Sequence, residues 1–230
     1  FAQGANNFYT FLPKIMDDNF ANRDNFSDLR LVQNAVSNST YTVPETDDNY
    51  NSYYSRLRNI NYLFQNAEKY SKPNEIKQYV AEAYFFRAYI SFLFFRDFGP
   101  GTIVKKVLNP SSDEVMAARA TREEFANFII EDLEAAISSG ALPKQSAING
   151  GATNGRITIG AAYALLSRVC LFEGTWQKYH VANGTNDART TALLTKSKEA
   201  SLSVMNDNSY ELFYNSQMGV DSYRYMFILQ

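Results

Sequence analysis

The residue types that most often do chemistry are scarce in this chain. Its 230 residues hold one cysteine, Cys170, and one histidine, His180. A thiolate nucleophile needs an activating base and a third group to orient that base, and no third group suggests itself here. Cys170 lies in an apolar helical stretch and reads as a small buried hydrophobe. One histidine leaves nothing for a His-rich metal site, and one cysteine rules out an internal disulfide. Two acidic pairs, Asp17/Asp18 and Asp47/Asp48, superficially suggest glycosidase carboxylates. Adjacent carboxylates in a polar segment match poorly to an acid and a base held on either side of a scissile bond. No catalytic residue, metal ligand or cofactor is assigned.

What the sequence offers in quantity is hydrogen-bonding and aromatic surface. Residues 21–48 are rich in Asn, Asp and Ser, and aromatic residues make up 15% of the chain, with 16 Tyr and 17 Phe. Aromatic residues in such numbers suit either wide helix–helix interfaces or a sugar-binding surface, and the latter needs aromatic platforms together with planar, multidentate groups such as Asp, Asn and Arg. The candidate ligand residues are therefore Asp18, Arg23, Asn25, Tyr41, Asp48, Asn49 and Tyr53. The alternative is a solvated or calcium-stabilised Asn/Asp-rich loop. Trp176 offers a flat face for a pyranose, although a packing role between helices is the preferred reading. A net charge of -2 gives no reason to expect nucleic acid or an anionic membrane as partner.

Helical periodicity marks the elements that must position these groups. The spacing predicts helices over residues 7–20, 49–70, 74–98, 121–139, 160–172 and 189–206, with an all-α fold of hairpins and long irregular loops. Residues 71–73 make so short a link that the second and third helices should lie antiparallel. Thr121 and Glu124 form a capping-box signature. Gly160, Ala161, Ala164 and Ser167 allow a close helix approach. Arg87, inside an apolar helix, requires partners, either backbone carbonyls or a carboxylate such as Glu82 or Asp132. Residues 102–108 read as a short extended piece, and the run Tyr225-Met-Phe-Ile-Leu as strand-like.

Several strings, taken in order, resemble the SusD/RagB family. They are Tyr54 with Ile60 and Asn61, then Glu82-Ala-Tyr-Phe-Phe-Arg87-Ala88-Tyr89 ahead of Phe98-Gly99, and Thr121-Arg-Glu-Glu-Phe-Ala-Asn-Phe-Ile-Ile-Glu-Asp-Leu-Glu-Ala-Ala136. Leu142-Pro143, Gly155-Arg156-Ile-Thr158 and residues 161–171 follow, and residues 210–213 and 226–230 close the set. Ala81, Phe85 and Ala88 add the small–large–small pattern of a tetratricopeptide-type helix pair. The usual leading Trp of the first motif is not evident, and Gly99-Pro-Gly-Thr-Ile103 departs from the family's turn.

The resemblance implies tetratricopeptide-like hairpins (an α-solenoid) scaffolding a shallow glycan site. It also implies a SusC-like TonB-dependent transporter as partner, and attachment at the outer-membrane surface through an N-terminal lipid anchor that this chain does not contain. On this reading residues 1–230 are the N-terminal, hairpin-bearing part of a longer protein whose C-terminal half is missing. Residues 1–48 form a loop-rich segment contributing to the ligand site. The rivals are a helical-repeat adaptor for proteins, a family variant that binds peptides, and an α-helical glycoside hydrolase.

Overall fold

The structure, a computed structural model, describes residues 2–8, 42, 45–109, 111–148 and 155–210. The expected helix over residues 7–20 falls largely outside these, as do the strand-like run near residue 225 and the candidates Asp18, Arg23, Asn25 and Tyr41. Among the described residues every regular element is helical, so the all-α expectation holds. The helices are α1 (Ala2–Phe8), α2 (Asp48–Ala67), α3 (Pro73–Phe98), α4 (Arg122–Ser138), α5 (Ile159–His180) and α6 (Ala188–Asn206). Short 3-10 turns stand at Asp113–Met116, Gln145–Ala147 and Gly184–Asn186. The chain divides into two compact units, Phe1–Asp132 and Leu133–Gln230.

In the first unit α2 and α3 form the expected antiparallel hairpin. Asp47 caps α2, its carboxylate accepting the Tyr50 N–H at 3.0 Å. Pro73 opens α3, a position where its missing N–H costs nothing. Gly99 ends α3 at φ +75°, a left-handed conformation that favours glycine, and donates its N–H to Phe95 O at 3.0 Å. The two helices differ in burial. α2 buries one face, with Tyr53, Leu57, Ile60, Asn61 and Leu63 inside. α3 is buried around most of its girth from Ala81 to Phe95 and forms the centre of this unit. α1 lays Phe8 edge-on against Phe86, with ring centres 5.8 Å apart. The first turns of α4 bring Phe125 against Phe95 at 5.6 Å. Residues 102–108 cross this hairpin without strand pairing.

The second unit is built on the α5/α6 hairpin. Thr158 and Asp187 cap the two helices, accepting N–H bonds from Ala161 and Thr190. Small residues set the approach, but not all those expected. Ser167 bonds Ser197 and Ser201 at 3.1 and 2.7 Å, whereas Ala164 faces outward and takes no part. α5 also runs eight residues beyond its expected end. Gly174 lies inside α5, and Leu194 of α6 packs where a side chain would be: a Cβ there would lie 2.9 Å from Leu194 Cδ2.

Candidate functional site

The site is assembled on a buried polar network. Arg87 on α3 donates from Nε and Nη2 to the two oxygens of Asp132 on α4, both at 2.7 Å. Its Nη1 reaches Asn61 Oδ1 on α2 at 3.0 Å. The guanidinium also lies 4.6 Å from the Phe64 ring centre. Of the carboxylates named for Arg87, Asp132 is the one it takes, while Glu82 accepts a bond from Gln78 at 3.1 Å. Burial pushes the Asp132 carboxyl above its ordinary range, against the pull of Arg87. Asn61 then spends its amide N–H groups on Val104 O at 2.9 Å and Lys106 O at 3.2 Å. One network thereby ties three helices and the crossing segment, and holds that segment's backbone as a fixed wall beside α2.

The open end of the α2/α3 hairpin carries a shallow cleft of about 180 Å³. Its lining combines Asn49, Ser52, Tyr53 and Arg56 from α2 with Phe94, Arg96, Asp97 and Phe98 from α3. Asn49, Ser52, Tyr53 and Arg56 fall at helical spacing on one face, and the antiparallel pairing brings the last turn of α3 beside them. Arg96 and Asp97 face each other through a two-bonded pair at 2.7 and 3.0 Å. Tyr50, Tyr54, Phe94 and Phe98 form an aromatic cluster behind the cleft, with Tyr50 lying 5.1 Å from Phe94 and 5.5 Å from Phe98.

Of the seven candidate ligand residues, three are described. Asp48 and Asn49 are exposed on the first turn of α2. Tyr53 is only 4% exposed, with its ring stacked on Phe94 at 4.3 Å and its hydroxyl 3.3 Å from Ser91 Oγ. Burial raises the Tyr53 phenol well above its usual range, so it stays protonated. Its ring is the cleft's backing, and the exposed polar groups come from its neighbours. Ser52, Arg56, Arg96 and Asp97 were not among the candidates. Helical spacing from Asn49 places Ser52 and Arg56, and the antiparallel hairpin places Arg96 and Asp97 by setting the end of α3 beside the start of α2.

The other chemistry-bearing residues lie elsewhere. Cys170 is fully buried and its thiol is pushed up to about 11, chiefly by burial, so it carries little thiolate. His180 stands ten positions further along α5, roughly 15 Å at the helical rise per residue. It stacks on Trp176 at 5.4 Å within the same helix. Among the described residues no three His, Cys, Asp or Glu side chains gather to hold a metal ion, and no helix is long and apolar enough to cross a membrane.

A first helix hairpin clamped to α4 by a buried Arg–Asp–Asn network and bearing shallow polar and aromatic clefts, with a second hairpin in the other unit, defines a tetratricopeptide-like helical scaffold. The chain belongs to the SusD-like family described as "Starch-binding associating with outer membrane", which it matches over residues 2–171. Solved structures share the fold. A SusD-like protein from Bacteroides fragilis NCTC 9343 is 24% identical with a TM-score of 0.68, over 90% of this chain and 37% of its own. A SusD superfamily protein from Parabacteroides distasonis ATCC 8503 is 25% identical with a TM-score of 0.62, over 78% of this chain and 36% of its own. A laminarin binding SusD-like protein is 22% identical with a TM-score of 0.54, over 74% of this chain and 34% of its own. The chain thus spans about a third of the length of the structures it matches. Among curated proteins none matches.

Proposed function

We propose that this chain is the helical part of a non-catalytic glycan-binding protein. It would act at the outer-membrane surface, held there by a lipid anchor, and pass its ligand to a SusC-like TonB-dependent transporter. The observation that carries the reading is the cleft at the start of α2. Asn49, Ser52 and the Arg96–Asp97 pair present planar or hydroxyl hydrogen-bonding groups over a Tyr/Phe floor. That is the combination a pyranose requires: multidentate contacts for its hydroxyls and apolar surface for its C–H face. Membership of a family described as starch-binding and the name of the laminarin-binding neighbour support the same ligand class. Asp48 and Asn49, with Asp18, Arg23, Asn25 and Tyr41, are the proposed contacts, and Tyr53 backs the cleft beside Asn49.

Calorimetric titration of the full-length protein against a polysaccharide panel tests this. One or more polysaccharides should bind, and Asn49→Ala or Arg96→Ala should weaken that binding roughly tenfold, about 1.4 kcal/mol. Both side chains reach solvent, so the melting temperature should stay close to that of the parent. Binding to peptides and to no polysaccharide would overturn the glycan reading.

A further inference from the structure

A second cleft lies on the flank of α2, facing the crossing segment, and its chemistry differs from that of the first. It measures about 380 Å³ and is lined by Tyr54, Leu57 and Val104 at its base and by Ser55, Arg58 and Asn109 at its rim. That volume falls in the range of small-molecule sites, mostly apolar with a few placed polar groups. The wall is held rigid: Asn61 fastens Val104 and Lys106 by their carbonyls, and Arg87 fastens Asn61. Asn109 is fixed in a turn, its N–H donating to Ser112 Oγ at 3.0 Å and its carbonyl accepting the Ser112 N–H at 2.9 Å.

Arg58 is the group that gives the cleft a sign. Its Nη1 donates to Leu108 O at 2.6 Å, and its guanidinium lies 5.6 Å from the Tyr62 ring centre. Among the described residues it has no carboxylate partner. Lys106, the other cation in the lining, is already paired with Glu114. The side chain is thus oriented but not neutralised. With Nη1 occupied, the Nε and Nη2 edge remains, the two-donor fork that matches a carboxylate or sulfate. The lining thus sets an oriented, un-neutralised guanidinium beside an aromatic ring and an amide side chain.

We propose that this cleft binds an anionic sugar residue, a uronate or a sulfated sugar, with Arg58 pairing to its acidic group. Asn109 and Ser55 then contact the hydroxyls. The proposal rests on the glycan-binding reading above and narrows its ligand class.

The test is calorimetry on the full-length protein with three probes of matched length: an oligogalacturonate, a chondroitin sulfate oligosaccharide and a neutral laminarin oligosaccharide. One anionic probe should bind at least roughly tenfold more tightly than the neutral one, as a charge-assisted fork implies. That advantage should vanish in Arg58→Gln, persist in part in Arg58→Lys, and shrink as salt is raised. Asn109→Ala should weaken anionic probes while leaving salt dependence in place. Arg58 is exposed, so an unchanged melting curve is expected for its variants. Which anionic probe wins separates carboxylate from sulfate. Equal binding of neutral and anionic probes, unaffected by Arg58→Gln, overturns the proposal and leaves the glycan reading standing. Binding of none of the three, with peptides bound instead, overturns both.

Discussion

Arg87 shows how one residue organises a surface it never reaches. Its five N–H donors are directed by planarity, so a carboxylate on one side and an amide oxygen on another fix α4 and α2 at once. Such a pair is a geometric lock more than a net source of stability, because both ions lose their water. The upward displacement of the Asp132 carboxyl is the signature of that loss. Removing one partner leaves the other charged and buried. Asp132→Ala should therefore lower unfolding free energy by about 3–5 kcal/mol in chemical denaturation. Replacing both, Arg87→Met with Asp132→Leu, should recover most of it. If the double variant is as unstable as the single one, the lock carries more net stability than this account gives it.

At the scale of the element, caps and close approaches decide where helices begin and meet. Thr121 and Glu124 cap α4 reciprocally: the Glu124 N–H donates to Thr121 Oγ1 at 3.2 Å, and the Thr121 N–H donates to Glu124 Oε2 at 2.8 Å. The Thr121 N–H, with its hydroxyl, holds the Glu124 carboxyl below the ordinary glutamate range. The sign follows from that direction. The cap is fully formed above the unfolded glutamate pKa and is lost as pH falls through the lowered folded value. In an NMR titration the Thr121 amide should follow Glu124 with a midpoint below that of a model glutamate, and Glu124→Gln should abolish the transition. A midpoint at or above the model value would refute the cap's hold on the carboxylate.

The α5/α6 contact illustrates the other half of element-scale logic. Gly174 and Ser167 stand seven positions apart on one helical face, and both face α6. The run of small residues announced a close approach, but alanine is small wherever it points. Ala164 is exposed, and nothing in the local sequence distinguishes it from the residues that touch α6.

At the scale of the whole chain, the distribution of ionisable groups bears on turnover. The cleft at the start of α2 and the cleft on its flank are lined by the Arg96–Asp97 pair, Arg58 and Lys106, so among the described residues the one carboxylate lining either of them, Asp97, is held by a cation. A glycosidase needs one carboxyl protonated and a second ionised across the bond. Prolonged incubation of the full-length protein with a bound polysaccharide should leave reducing ends at the level of a protein-free blank. A steady rise would overturn the non-catalytic reading.

The amino-acid order by itself determined that α2 to α6 are helical, where α2, α3, α4 and α6 begin and end to within a few residues, and the family, but not α1, which starts at Ala2 rather than near residue 7. These are local properties: a repeat of apolar positions, a proline or glycine stop, a capping pair. It also required buried partners for Arg87, carbonyls or a carboxylate such as Glu82 or Asp132, without choosing between them. Tertiary structure decided the rest. Tyr53 went inward because the antiparallel hairpin places Phe94 and Ser91 against it, so an aromatic chosen for its chemistry became a floor. Arg96 and Asp97 joined Asn49 because the hairpin brings together residues more than forty positions apart in sequence. Arg58 and Asn109 face one cleft only because Asn61 anchors the crossing segment. Residue type sets what a side chain can bind, but which side chains share a surface depends on how the helices pack.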